Sequence, residues 1–219
     1  MAKANYGNLP INHSDEPIRL FKSDYLEFFT HIHPGVVVLL YAPVVVICLW
    51  GAVASHLPGE AWTPVWGGYL IGLFVWTLSE YLLHRFLFHF EPTSPRLKWV
   101  WYLIHGVHHE QPQCKTRLVM PPILSIPLAL AFYAFFVLVM NVIIGAPRWT
   151  GPLFAGLITG YIAYDMTHYA THHLAMSQGF LKFLKRYHLL HHYKTPDDRF
   201  GISSPIWDYV FGTRPPKER

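Results

Sequence analysis

Apolar residues fall along this chain in long unbroken blocks, not in the three-to-four spacing of a helix that shows one face to water. Residues 35–54 and 61–79 contain no charged side chain, and each comes close to the roughly 20 residues that cross a hydrocarbon core. A third uncharged block covers 118–147. Pro121, Pro122 and Pro127 crowd its start, which places the third predicted helix at about 123–144. A fourth runs from Trp149 towards His168. Short links at 56–60 and 145–148, rich in Gly and Pro, join the members of each pair into hairpins. The pattern predicts an all-α, integral-membrane four-helix bundle. Its divisions are an N-terminal segment, 1–33, and a membrane-embedded domain, 34–219. The N-terminal segment is too polar for a signal-peptide core, so the first span is expected to act as the insertion signal.

Composition agrees with a bilayer. Of the 219 residues 52% are hydrophobic and only 14% charged. Sixteen of the seventeen Lys and Arg lie in the N-terminal segment, between the second and third spans, or in the C-terminal tail, leaving Arg148 alone in the opposite links. That bias puts those three segments in the cytosol. The net charge of +4 has no basic stripe with interleaved exposed aromatics, so nucleic acid is not an expected partner. Cys48 and Cys114 form neither a disulfide framework nor a CxxC pair.

The chemistry lies in ten histidines: His84 and His89; His105, His108 and His109; His168 and His172; His188, His191 and His192. A single histidine at a membrane boundary is more often an interfacial or capping residue. Ten at helical spacing supply two first-row metal spheres. His105/His109 and His168/His172 are four apart, on one helical face. Adjacent histidines, as in His191 and His192, diverge by about 100°, which suggests two ions instead of one. His84 and His89 are five apart, so sharing an ion requires a bend or helix end near 86–88. The charge bias places every cluster on the cytosolic side. His13, His31, His33 and His56 lack such partners and read as structural or solvated, and His173 as support behind His172.

Other residues admit two readings each. Asp165, one turn before His168 and beside Tyr164, is a candidate to accept a ligand's distal N–H; the alternative is an interfacial tyrosine with a helix-end charge. Glu80 stands one turn before His84 and pairs in one reading with Arg85. Phe86, Phe88, Phe90, Trp99, Trp101 and Tyr102 form an interface belt or an acyl slot, with the belt favoured. Residues 178–186 read as an amphipathic cap, Phe180, Leu181, Phe183 and Leu184 apolar against Lys182, Lys185 and Arg186. A metal transporter is the rival from another class; it would place polar sites near the bilayer midplane, where these spans are apolar.

The motifs HRFLFH from His84, HGVHHEQP from His105, GYIAYDMTHYATHH from Gly160, YHLLHHY and FGISSPIWDYVFGT, in that order, resemble the fatty acid hydroxylase superfamily, and within it the fatty acid 2-hydroxylases. The likeness covers about 28–213. It implies a membrane helical enzyme with a cytosol-facing dinuclear centre that inserts one oxygen atom from O2 beside a fatty acyl carboxyl or amide. It also implies one metal held by His84, His89, His105, His109 and His191, and another by His108, His168, His172, His188 and His192. Sterol or carotenoid oxidation within the same superfamily is the alternative. Iron is the metal expected for activity, because an aliphatic C–H bond needs an oxidant; zinc also suits neutral imidazoles and is silent in redox chemistry. Fungal and animal members usually begin with a cytochrome b5 domain. About 33 residues precede the first span here, and His33-Pro34-Gly35 reads as a helix start, so a separate electron donor of cytochrome b5 or ferredoxin type is expected. The membrane is the endoplasmic reticulum if the source is eukaryotic and the inner membrane if bacterial.

Overall fold

A computed structural model describes residues 11–214, apart from 15 and 91. Among these the chain is helical, with no strand. A short helix α1 (Asp24–Phe28) precedes α2 (Pro34–Ala54), which starts where His33 accepts the Gly35 N–H on its own ring nitrogen at 3.1 Å, with Pro34 in the first turn. Proline suits that position because its missing N–H would be unpaired there anyway. Helix α3 (Thr63–Leu82) does not stop at residue 79. It continues as a π-helical turn, Leu83–Phe88, and carries Glu80 and Arg85 with it.

Helix α4 (Pro95–Trp101), a second π-turn (Tyr102–Gly106) and α5 (Val107–Glu110) form one bent segment. Helix α6 (Pro122–Phe136) starts at Pro122, with Pro127 inside it, and ends in a π-helical stretch, Val137–Ile143. Helix α7 (Thr150–His173) outruns the expected end at His168 by more than a turn. Helix α8 (Gly179–Tyr193) joins the amphipathic stretch to the last histidine cluster, and α9 (Ile206–Val210) closes the chain.

Among the described residues three helices are long and apolar enough to cross a membrane: Pro34–Ala54, Thr63–Phe88 and Pro122–Ile143. The first and third bury only 11% of their apolar windows, so their faces need a hydrocarbon surrounding. Helix α7 is different. It is the buried centre, with Leu153, Ala155, Leu157 and Ile158 inside, packed chiefly against α3 and α2. Small residues make this possible. A Cβ on Gly72 would fall 2.1 Å from the Leu153 carbonyl oxygen, and one on Gly156 2.0 Å from that of Tyr69, so α3 and α7 cross backbone to backbone. Because α7 meets protein on most sides, it can be less apolar than its neighbours and still be as long. The Tyr41 hydroxyl donates to Ser125 at 2.8 Å, which satisfies a buried polar pair between α2 and α6.

Candidate metal centre

The π-turn at Leu83–Phe88 resolves the awkward spacing of His84 and His89. Its i to i+5 hydrogen bond, His89 N–H to the His84 carbonyl at 3.0 Å, turns the two side chains to one side, with ring centroids 4.8 Å apart. The helix then ends, as the bend expected near 86–88 requires. His105 and His109 follow across the second π-turn, and His191 arrives from α8. These five ligand atoms all lie within 4.8 Å of one another. His108, His168, His172, His188 and His192 form a second group of the same tightness. The groups abut, the His109 and His192 rings stacking at 4.3 Å. The structure thus brings together all ten sequence-derived histidines, in the division that the resemblance implied. His173 stays outside both groups, its ring 4.7 Å from that of Tyr169.

Within each group the ring Nε2 atoms face inward. His84 and His105 approach to 3.2 Å, His109 and His105 to 3.0 Å, and His191 and His89 to 3.1 Å. In the second group His168 and His108 stand 3.0 Å apart, His172 and His188 2.8 Å, and His192 and His188 3.0 Å. The tautomers show what these contacts are. A carbonyl oxygen only accepts, so His84 Nδ1–H donates to the Phe200 carbonyl at 2.6 Å and His191 Nδ1–H to that of Asp198 at 2.7 Å. A neutral ring has one N–H, so both Nε2 atoms present bare lone pairs. Burial, reinforced by neighbouring imidazoles, pushes His105, His109, His188 and His192 well below the ordinary imidazole value, and His108 down to about 3. Neutral rings with converging lone pairs fit a cation between them, and nitrogens about 2.0–2.1 Å from an ion stand at such mutual separations. Two ions fit, one per group.

A sequence profile of the fatty acid hydroxylase family matches residues 69–213, the stretch that carries every one of these histidines. The chain belongs to the fatty acid hydroxylase family. A dihydroceramide fatty acyl 2-hydroxylase of Arabidopsis thaliana is 39% identical over 206 residues, covering 94% of this chain and 83% of the plant protein. The ceramide very long chain fatty acid hydroxylase scs7 of Schizosaccharomyces pombe is 46% identical over 151 residues, 68% of this chain and 42% of that longer protein. Among solved structures, a full-length scs7p chain in which only the hydroxylase domain is visible superposes with a TM-score of 0.81. It is 38% identical, and the match covers 90% of this chain and 72% of that one.

The carbonyls that orient this hydroxylase-family centre come from a loop fixed by two buried carboxylates. Glu80 accepts from the Ile202 and Ser203 N–H groups at 2.6 and 2.7 Å and from the Ser203 hydroxyl. Asp208 accepts from the Phe200 and Gly201 N–H groups at 2.9 and 2.8 Å. Glu80 is therefore not the partner of Arg85, which donates to the Tyr81 hydroxyl at 2.7 Å instead. The partner could not be read locally, because Ile202 lies 122 residues away.

A cavity of about 320 Å3 reaches His105, His108 and His168, and is otherwise mostly apolar. Tyr164 and Asp165 line it. Asp165 Oδ2 and His168 Nδ1 are both buried without a hydrogen-bond partner among the described residues, so the structure does not pair Asp165 with that ring. Of the six aromatics read as belt or slot, Phe88 alone lines the cavity; Phe86, Phe90 and Trp99 are exposed. Half of the wall comes from the N-terminal segment and from 118–124, where the sequence singled out only Pro121. Prolines and apolar residues there were legible only as the approach to a span. The remaining histidines serve locally: His31 Nδ1 lies 2.8 Å from the Thr116 hydroxyl, His33 caps α2, His56 stacks on Trp62 and His13 on Tyr193.

Proposed function

We propose that this chain is an O2-dependent fatty acyl 2-hydroxylase, with two iron ions held by the two five-histidine groups. The observation that carries the reading is that both groups open onto one apolar cavity, His105 from the first and His108 and His168 from the second. Bound iron would supply the activation of O2 that an aliphatic C–H bond requires, consuming two electrons and two protons and returning one oxygen atom as the product alcohol and the other as water. The chain's own residues do the rest. Apolar walls exclude water and hold the acyl chain by its methylenes, and the His84 and His191 tautomers keep lone pairs inward. The Tyr164 hydroxyl, beside His168, donates to the acyl carbonyl next to the reacting carbon, and the Asp165 carboxylate accepts from the amide N–H or acid O–H of the same acyl group. An Asp165→Asn variant should keep its ions and lose activity.

The four long helices cross the bilayer in two hairpins, with the histidine cap on the cytosolic side, as the Lys and Arg bias requires. A separate one-electron donor protein docks on that side. The related proteins named above act on acyl chains, which favours an acyl substrate over a sterol or carotenoid. A transporter is disfavoured because the histidines sit at the helix ends. Mass spectrometry of hydrolysed lipids, after turnover of the reconstituted, iron-loaded protein with donor and O2, tests the reading. It predicts 2-hydroxy acyl product dependent on both iron and O2; product hydroxylated elsewhere, or none, overturns it.

A further inference from the structure

One wall of the cavity is not part of the membrane bundle. Residues 12–30, Asp15 aside, lie as an extended strap across the histidine segment, ending in α1. Gln111, two residues after His109 and 1% exposed, grips the strap from below: its Oε1 accepts the Ile18 N–H at 2.8 Å, and its Nε2 donates to the Glu16 carbonyl at 2.9 Å. Arg117 donates to the Ile18 carbonyl and to Glu27. Glu27 in turn accepts the Leu20 and Phe21 N–H groups at 3.0 and 2.7 Å, which folds the strap back on itself. Backbone bonds pin both ends, Asn12 N–H to Glu110 at 2.8 Å and Ile32 N–H to Thr116 at 2.7 Å.

These polar clamps hold an apolar surface in place. Leu20, Phe21, Leu26 and Phe29 line the cavity, while Tyr25 and Phe28 point away and are each 72% exposed. The cavity residues that are also exposed, Leu26, Phe29, Val100 and Ile123, mark its mouth, and all four are apolar. A mouth rimmed in that way opens to lipid, not to water. A methylene occupies about the 30 Å3 of a water molecule, so the cavity takes on the order of ten carbons and a longer tail must leave between the strap and α6.

We propose that the strap is the specificity-determining wall of the acyl cavity, with Phe21 and Phe29 selecting which chains reach the histidines and Gln111 and Arg117 positioning them. This rests on the acyl-hydroxylase reading, and its test separates the two. A fatty acyl probe carrying a mid-chain diazirine is photolysed with the iron-loaded protein in phospholipid nanodiscs, without donor or turnover. Label is expected in the peptide covering 18–30. Turnover then compares a straight saturated chain with a cis-unsaturated chain in competition. Phe21→Ala and Phe29→Ala are expected to shift the product ratio towards the bent chain about fivefold, with wild-type ion content and melting temperature, and Phe21→Leu by less. Gln111→Ala is expected to raise KM more than it lowers kcat. A labelled strap with no hydroxylated product supports the wall and overturns the 2-hydroxylase reading. Hydroxylation by a protein whose strap is never labelled, or unchanged product ratios in variants with full iron, overturns the proposal.

Discussion

The two five-histidine groups hold the same number of imidazoles at the same closeness, yet they are built by different means. Four of the second group's five histidines stand on long regular helix, and only His108 comes from the bent segment. His168/His172 and His188/His192 are four apart on α7 and α8, and helical pitch alone aims them. Nδ1 of His108, His168, His172, His188 and His192 is buried without a hydrogen-bond partner among the described residues. In the first group His84, His89 and His105 stand on or at the end of the two π-turns, and there the 198–200 loop supplies what pitch does not. Carbonyls fix the His84 and His191 tautomers, and Glu80 and Asp208 fix the carbonyls. Regular spacing needs little support; irregular spacing needs a scaffold drawn from distant sequence. The first ion should therefore be the better held, and the one more easily disturbed from afar.

Removing a ligand from either group should have the largest effect and no asymmetry. His188→Ala and His191→Ala are each expected to cut hydroxylation at least about a hundredfold, because the reaction needs both ions, while bound metal falls from two to one. Elemental analysis with product assay checks this; a variant that keeps activity with one ion would end the dinuclear reading. Next comes Gly201→Ala, where the comparison should show. Its Cβ would sit 2.1 Å from the Ser204 carbonyl oxygen, so the loop must shift and take the Phe200 carbonyl with it. The first ion's affinity should drop about 10–100-fold and the second's stay within about threefold. Glu80→Ala leaves the Ile202 and Ser203 N–H groups buried and unpaired, at a cost of about 1–3 kcal/mol each. A melting temperature equal to wild type would show that the loop holds itself.

The same contrast explains what could be read without coordinates. Histidine spacing on a helix encodes direction, so the clustering of ten histidines was legible from spacing while their division came only from the family resemblance, and the five-residue gap between His84 and His89 already demanded a distortion near 86–88. The kind of distortion, a π-turn, was not legible, since Leu83–Phe88 has no Pro or Gly to mark it. Hydrocarbon length gave the long helices to within a few residues, except where α3 and α7 run on past the membrane blocks as histidine-bearing helix. For Glu80 the sequence offered only His84 and Arg85 as partners, because only near neighbours are visible in it, and the Ile202 and Ser203 N–H groups from which it accepts are not. Asp165 was aimed at His168 for the same reason. The strap escaped notice because its apolar residues, Leu20, Phe21, Leu26 and Phe29, have no single periodicity and acquire one face only when Gln111 and Arg117 hold them.

Chelation is a milder probe of the same asymmetry. With no acceptor behind its rings among the described residues, the second group should release its ion first, by about tenfold in competing chelator concentration. Stepwise loss from two ions to one, with the His84 and His191 ring signals unperturbed at the midpoint, is the expected course; simultaneous loss would show that the carbonyl contacts add nothing to affinity.

The smallest effect should come from acid acting on Glu27 of the strap. The buried neutral rings of both groups add a separate loss of global stability as pH falls below the ordinary imidazole value of 6.5, so Glu27 is read from the difference between wild type and Glu27→Gln. Burial alone would raise the Glu27 carboxyl, but the Phe21 and Leu20 N–H groups and Arg117 outweigh it and hold the group below the ordinary 4.5. A carboxyl lowered on folding stabilises the docked strap fully above that ordinary value, and its contribution disappears as pH falls through the lower folded value. The difference in hydrogen exchange over 16–30 between wild type and Glu27→Gln should thus be constant from pH 7 to about 5, and narrow below about 4.5. Glu27→Gln should be the faster to exchange at pH 7. If the difference is absent or does not narrow in acid, the carboxylate is not what fastens the strap, and the wall of the cavity is held by Gln111 and the backbone alone.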